Sequence, residues 1–271
     1  MMLIAIDLLI LSFLFSLLNI FKKSKINIYL SLLFGLSCFL DLAFYIIKLF
    51  LSSPLLFINI FMYEKLISAF LLLVFIYFNT KENWRIVALF IVLFSLFFLI
   101  HSEIFEFSKA DVAIENIYKN NFPHIILFYH YIFASIAQTL FFSSFILSFF
   151  FFYERWRVKH KKFGPFIKLL PSLPELDKKI LTFISLGFAF LTFSLICGFL
   201  ILNDIYGKFY LFDPNNLLNI VLWLMFLTYI IFRKKTKVMT EKLSLLVLLS
   251  TILTFFSVFL SYFTFTFHNF R

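Results

Sequence analysis

Four of the five histidines lie beside or just inside the ends of long apolar stretches: His101, His124, His130 and His268. Imidazole nitrogens are common axial ligands of porphyrin-bound iron. His130 and His268 come from distant parts of the chain, and their expected depths in a membrane are similar. This placement predicts that His130 and His268 supply two axial nitrogens to one iron, with His101 and His124 as weaker candidate ligands. The alternative is that such a histidine bonds a backbone carbonyl and has a structural role.

The helix expected to contain His124 and His130 limits which histidines can share an iron. The two residues are six positions apart, which places them roughly 240° apart around a helix and roughly 9 Å apart along it. They therefore cannot both reach one iron from that helix. His160, the fifth histidine, lies in a basic segment and is expected to be solvated.

Aromatic residues are concentrated in a short segment at 206–214, which contains Phe209, Tyr210, Phe212 and Asp213. A glycine near its start permits a tight bend, and the Asp-Pro pair at its end favours a turn followed by a helix. The flat rings between them predict a platform that covers a porphyrin. The alternative is an ordinary belt of aromatic residues at the membrane interface.

The overall composition is that of an integral membrane protein. Of the 271 residues, 63% are hydrophobic and only 14% are charged, whereas soluble domains have about a quarter of their residues charged. The net charge of +10 could suggest nucleic-acid binding, but the basic residues form short runs beside apolar stretches. That pattern is typical of topology signals. We therefore expect one integral membrane domain over 1–271 and no nucleic-acid partner.

Eight apolar stretches are long enough to cross a bilayer, which needs about 20 residues of helix. They lie at about 2–21, 27–51, 55–78, 85–101, 124–152, 180–202, 216–232 and 243–264. The sequence thus predicts an all-α polytopic transmembrane helix bundle. Glu64 and Lys65 interrupt the third stretch. We expect Glu64 to face other helices, and for Lys65 the alternative is to extend toward the membrane surface.

The basic residues predict the orientation of the bundle. With the N-terminus outside, the four cytoplasmic connections contain 18 Lys and Arg, and the external segments contain five. This asymmetry predicts that both termini lie outside. It also predicts an external loop at 102–123, a basic cytoplasmic loop at 153–179 and an external aromatic loop at 203–215.

Short motifs within and around these stretches give the chain a recognisable pattern. They are Met62-Tyr63-Glu64, Tyr153-Glu154-Arg155, Leu170-Pro171-Ser172-Leu173, Leu176-Asp177, Gly187-Phe188, Leu191-Thr192 and Gly198. In these residues the chain resembles the cytochrome c assembly proteins of the CcsA/ResC and HemX-like group, which is related to the haem handlers CcmC and CcmF. The resemblance is clearest from residue 124 onward. It implies that His130 and His268 correspond to histidines of the family.

The external aromatic loop resembles the tryptophan-rich loop of that family, which ends in Trp-Asp-Pro-Lys-Glu. Here the frame is Tyr206-Gly207, Phe209-Tyr210 and Phe212-Asp213-Pro214, and Asn215-Asn216 stands in place of Lys-Glu. The loop is therefore WWD-like in its frame, but it lacks the tryptophans. Phenylalanine and tyrosine rings can still stack on a porphyrin.

The resemblance also implies a function. It implies non-covalent haem b, held at the outer face of a bacterial-type cytoplasmic membrane and presented to apocytochrome c, with a ResB- or CcsB-like membrane partner. Such a protein is a haem chaperone or a component of a haem-ligation complex rather than an enzyme with catalytic residues. The alternative is a regulatory or scaffolding membrane protein of the HemX-like type, which binds a partner through 153–179 and does not deliver haem.

Overall fold

The part of the chain that the structure describes is built from helices, with no strand among the described residues. The computed structural model describes residues 2–22, 24–52, 60–108, 124–161, 169–206, 214–237 and 241–263. Eight α-helices occupy these ranges: α1 (Met2–Lys22), α2 (Lys25–Ser52), α3 (Ile60–Asn79), α4 (Arg85–Ser108), α5 (His124–Lys159), α6 (Leu173–Tyr206), α7 (Pro214–Thr236) and α8 (Glu241–Phe263). A short 3₁₀ turn at Glu82–Trp84 leads into α4. The predicted all-α fold is confirmed.

Most of these helices have the length and composition of membrane spans. Within the described residues, seven of the eight are long and apolar enough to cross a bilayer. The eighth, α8, covers the last apolar stretch of the sequence. Helices suit this environment because a helix satisfies its own backbone hydrogen bonds where water is absent. The protein is therefore a multi-pass membrane protein, and the orientation of its termini stays a prediction from charge.

Three helices extend by about seven residues beyond the apolar stretches that predict them. α4 continues to Ser108, α5 continues to Lys159, and α6 already begins at Leu173. At the start of α6 the main-chain N–H of Ser172 donates to Oε2 of Glu175 at 3.1 Å. This bond is half of a capping box and stabilises the first turn of the helix. The basic segment at 153–179 is thus helical at both of its ends.

α5 packs most extensively against α6, and it also packs along α3 and α8. Its packing against α6 is tight at Gly187, where a Cβ atom would stand 2.8 Å from Cε1 of Phe141. The Phe141 ring also stacks on Phe226 of α7, with ring centroids 3.8 Å apart and 6° between the ring planes. Phe141 is therefore held between α6 and α7.

The substitution Gly187→Leu is expected to destabilise this packing. The new side chain must displace the Phe141 ring, which is already stacked on Phe226, and overpacking of this kind costs about 1–3 kcal/mol. Thermal unfolding in detergent micelles would measure the loss. Ser185→Leu, at an exposed position of the same helix, is the matched control. Equal unfolding temperatures for the two variants would contradict the tight approach at Gly187.

α6 and α7 are joined at two depths. Near the end of α7, Arg233 forms a bidentate ion pair with Asp177 of α6, with Nε–Oδ1 at 3.1 Å and Nη2–Oδ2 at 2.7 Å. Paired bonds of this geometry are strong and directional. Farther along, the indole N–H of Trp223 donates to Oγ1 of Thr192 at 2.9 Å. These contacts fix the two helices that flank the aromatic loop relative to each other.

Candidate functional site

His130 lies in the second turn of α5 and faces α6. Its Nδ1 is 2.8 Å from the main-chain carbonyl oxygen of Ser194 and 3.2 Å from the Ser194 hydroxyl. That hydroxyl donates in turn to the main-chain carbonyl of His130 at 3.3 Å. These contacts fix the orientation of a half-buried imidazole between α5 and α6.

The carbonyl partner of His130 determines which ring nitrogen can act as a ligand. A carbonyl oxygen can only accept, so the neutral ring donates from Nδ1 and carries its lone pair on Nε2. Metal-bound histidines commonly donate their other ring nitrogen to a carbonyl or carboxylate, which fixes the tautomer and orients the ring. The two interpretations weighed from the sequence, a carbonyl-bonded histidine and a metal ligand, are therefore compatible in His130.

Gly198 gives the His130 ring room against α6. A Cβ atom at this position would stand 3.1 Å from Cε1 and 3.4 Å from Nδ1 of His130. Gly187, Ser194 and Gly198 lie on one face of α6, because their spacings of seven and four residues match the helical repeat. Small residues on one face let membrane helices approach closely. This face of α6 therefore both admits α5 and accommodates the imidazole.

A second histidine, His101 of α4, has a carboxylate partner. Its Nδ1 lies 2.9 Å from Oε2 of Glu64 on α3, and the exposed fractions of the two side chains are 15% and 1%. The His101 ring also stacks on Phe97, with centroids 5.9 Å apart. A carboxylate bonded to one ring nitrogen is another common support for a metal-binding histidine. A buried partner thus orients His101, which its position near the end of a span did not indicate. Glu64 faces another helix, as predicted.

Lys65 is fully buried, so the alternative that it extends to the membrane surface is wrong. Its Nζ lies 3.0 Å from Oε1 of Glu103 on α4 and 5.1 Å from the ring centroid of Tyr45 on α2. A carboxylate and an aromatic face replace the water that an ammonium otherwise needs. The charges on α3 and α4 therefore compensate each other inside the bundle.

Aromatic side chains connect the surroundings of the two histidines. Tyr131, next to His130, packs edge-on against Tyr63 with ring centroids 6.1 Å apart. Tyr63 in turn precedes Glu64, the partner of His101, on α3. The helix α3 thus contacts the surroundings of both histidines, through Tyr63 on the side of His130 and through Glu64 at His101.

Part of the predicted site lies outside the described residues. This part comprises His268, Phe209, Tyr210, Phe212, Asp213 and the side chain of His124. The convergence of His130 and His268 on one iron therefore stays a prediction, as does the aromatic platform.

The described donors can be compared with what a porphyrin-bound iron needs. Within the described residues, no three His, Cys, Asp or Glu side chains form a group that could hold a metal ion. A porphyrin supplies four nitrogens of its own, so its iron needs only one or two axial ligands from the protein. A single oriented imidazole such as His130 is compatible with that requirement.

Sequence reasoning missed two features of this region. Ser194 carries the carbonyl that orients His130, and the small residues four positions apart at 194 and 198 are the signal that marks this face of α6. The pairing of α3 with α4 also had a signal. Glu64 and Lys65 are an acid and a base inside one span, which favours complementary partners on a neighbouring span. In the sequence of α4, His101 and Glu103 are such partners.

Comparison with known proteins places most of the chain in one group. A family model described as Cytochrome C assembly protein matches residues 30–269. No curated protein and no solved structure matches the sequence. The matched range includes every residue of the site described above.

Proposed function

Because the chain belongs to the cytochrome C assembly protein family, and so has a role in cytochrome c biogenesis, we propose that it binds haem and presents it for attachment to apocytochrome c. The proposed cofactor is non-covalent haem b, held at the membrane face where α5 begins and α6 ends. The proposed location is a bacterial-type cytoplasmic membrane. A ResB- or CcsB-like membrane protein is the proposed partner.

The orientation of His130 is the observation that carries this proposal. Its Nδ1 bond to the Ser194 carbonyl keeps the ring in the tautomer whose Nε2 can coordinate iron. His130 is one proposed axial ligand, and His268 is the other. When bound, haem supplies the group that becomes attached to the apocytochrome. The chain's own part is to orient the imidazole and to limit the access of water to one side of the site.

His101 is a further candidate ligand because Glu64 supports it. A carboxylate that accepts from Nδ1 makes the opposite nitrogen a stronger electron donor. The same contact also joins α3 to α4, so it has a structural role whether or not iron is bound. Haem retained in a His101→Ala variant would assign the Glu64–His101 pair to helix packing alone.

Absorbance of the purified full chain tests haem binding. Protein expressed in haem-replete bacterial cells and purified in detergent is expected to show a Soret band, with roughly one haem per chain. In cells that lack the chain, c-type cytochromes stained for covalent haem after denaturing electrophoresis are expected to disappear. They are expected to return when the wild-type chain is supplied.

Two results would separate haem delivery from its rival. Colourless protein from haem-replete cells would contradict haem binding and favour a regulatory or scaffolding protein that binds a partner through 153–179. Haem-loaded protein whose absence leaves the c-type cytochromes unchanged would contradict presentation to apocytochrome c, while haem binding would stand.

A further inference from the structure

Two lysine ammonium groups converge on one tyrosine at the end of α3. The phenol oxygen of Tyr77 accepts from Nζ of Lys179 at 2.7 Å and from Nζ of Lys81 at 2.9 Å. The same two nitrogens lie 4.9 Å and 4.3 Å from the centroid of the Tyr77 ring. Lys179 lies 102 positions after Tyr77 in the sequence, so the fold rather than local chain geometry brings the two lysines together.

The meeting of α3 with α6 is fixed by aromatic packing directly beside this cluster. The ring centroids of Phe78 and of Phe183 on α6 are 5.8 Å apart. On its other side Phe78 stacks on Trp84, with centroids 4.7 Å apart and 11° between the planes. The positions of Lys81 and Lys179 therefore follow from packed helices.

The charges of the two ammonium groups are not neutralised by the described part of the chain. Neither Lys81 nor Lys179 forms an ion pair there. The acidic residues close in sequence have other surroundings. Asp177 pairs with Arg233, Glu175 accepts from the Ser172 N–H, and Glu82 lines a cavity with Asn19 and Ile20. The two ammonium groups thus bond to one neutral oxygen, although two positive charges so close together repel each other.

The cluster lies at the membrane face where α3, α5 and α7 end and α4, α6 and α8 begin, here called the basic face. Tyr77 is 41% exposed, so the cluster opens to the surroundings of the bundle. Exposed apolar side chains continue from it into both spans. Leu73 lies one helical turn before Tyr77 on α3, and Leu186 lies two turns after Lys179 on α6. Polar groups that can bind a lipid head group therefore lie next to apolar side chains that can contact acyl chains.

We propose that Lys81, Lys179 and Tyr77 form a binding site for the phosphate of an anionic phospholipid at the basic face. A phosphodiester oxygen is a charged acceptor that can neutralise two ammonium groups, which the phenol oxygen cannot do. The Tyr77 hydroxyl can donate to the same phosphate. A lipid is the occupant because the apolar residues beside the cluster contact acyl chains, whereas inorganic phosphate gains nothing from them. An anionic lipid is favoured over a zwitterionic one because the latter carries its own cation.

Native mass spectrometry of the full chain in detergent tests this site. Delipidated protein is titrated with phosphatidylglycerol, with phosphatidylcholine of the same acyl chains, and with phosphatidylglycerol in the presence of inorganic phosphate. We expect one tightly retained phosphatidylglycerol and no comparable retention of phosphatidylcholine. The double substitution Lys81→Gln and Lys179→Gln is expected to weaken this retention about tenfold, since each lysine near an anionic head group adds to the affinity.

The control removes two charges from the same face without touching the cluster. Lys178→Gln with Lys235→Gln changes two exposed lysines, and its lipid retention is expected to stay within about twofold of wild type. Equal losses in the two double variants would overturn the site in favour of diffuse surface charge. Displacement of the lipid by inorganic phosphate would overturn the lipid as occupant. If the first double variant fails to elute as a single species, Lys81→Gln alone, at an exposed turn, must still show weaker retention for the proposal to stand.

Discussion

Replacing His130 with alanine is expected to lower the ratio of haem to purified protein by a factor of about 10–100. Loss of an outer-shell partner alone typically costs that much in metal affinity, and removal of the ligand itself is at least as severe. The Soret absorbance of the variant, measured against its protein concentration, gives the ratio. The covalent haem stain of c-type cytochromes in cells should fall in parallel.

The neighbours of His130 allow the ligand role to be separated from a packing role. Gly198→Leu keeps the imidazole but places side-chain atoms where the ring now lies, so haem retention should fall although every proposed ligand is present. Ser194→Ala removes only a hydroxyl and keeps the carbonyl that accepts from Nδ1, so its loss should be much smaller. A spectrum of Gly198→Leu identical to wild type would contradict the proposed orientation of the ring.

His160→Ala is the matched control for His130→Ala. It changes the same residue type on the same chain, but His160 is exposed just beyond the far end of α5 and bonds locally to the carbonyl of Trp156. Its haem content should equal that of wild type. Equal haem loss in the two alanine variants would point to destabilised protein rather than to a missing ligand.

Replacing Glu103 with alanine is expected to lower the free energy of unfolding by about 3 kcal/mol, because it removes a carboxylate partner from a fully buried ammonium. Breaking a buried ion pair on one side typically costs about 3–5 kcal/mol. The lower end applies here since Glu103 is 27% exposed. Denaturant titration of the purified protein in mixed micelles would measure the change.

The same ion pair predicts an asymmetry between its two partners. Lys65→Met fills the buried position with an apolar side chain and leaves Glu103, which retains partial exposure, so the loss should be smaller. The double variant should recover much of the stability lost in Glu103→Ala, since apolar replacements of buried ion pairs are often neutral. Equal losses for the two single variants, with additive loss in the double variant, would contradict the coupling.

The helical architecture was accessible from the sequence because the membrane imposes it. Long apolar stretches leave few alternatives to spanning helices, and seven of them are helices of that kind in the described residues. The ends were harder to predict. Apolar content predicts only the part of a helix that lies in lipid. α5 and α6 extend beyond that part through charged residues, and the bond between Ser172 and Glu175 stabilises the extension at the start of α6.

The surroundings of the candidate site were only partly accessible. Burial cost alone predicts that Glu64 faces another helix, and it does. The same reasoning failed for Lys65, because whether an ammonium reaches water or a carboxylate depends on which residue the next helix presents. The carbonyl of Ser194 could not be assigned to His130 either. Main-chain acceptors carry no side-chain signal, and the register of α5 on α6 follows from packing around glycines and rings.

The bidentate ion pair between Arg233 and Asp177 has a consequence for genetic screens. It ties α6 to α7 at the opposite end from residues 207–213, which connect the two helices in sequence, roughly 30 Å away along α7 at 1.5 Å per residue. A mutant at Arg233 would let both segments tilt and, under the proposed function, would lower the covalent haem of c-type cytochromes, although the arginine lies far from the proposed haem site. Phenotype alone would then assign the arginine to the proposed haem site, which lies toward the other end of these helices.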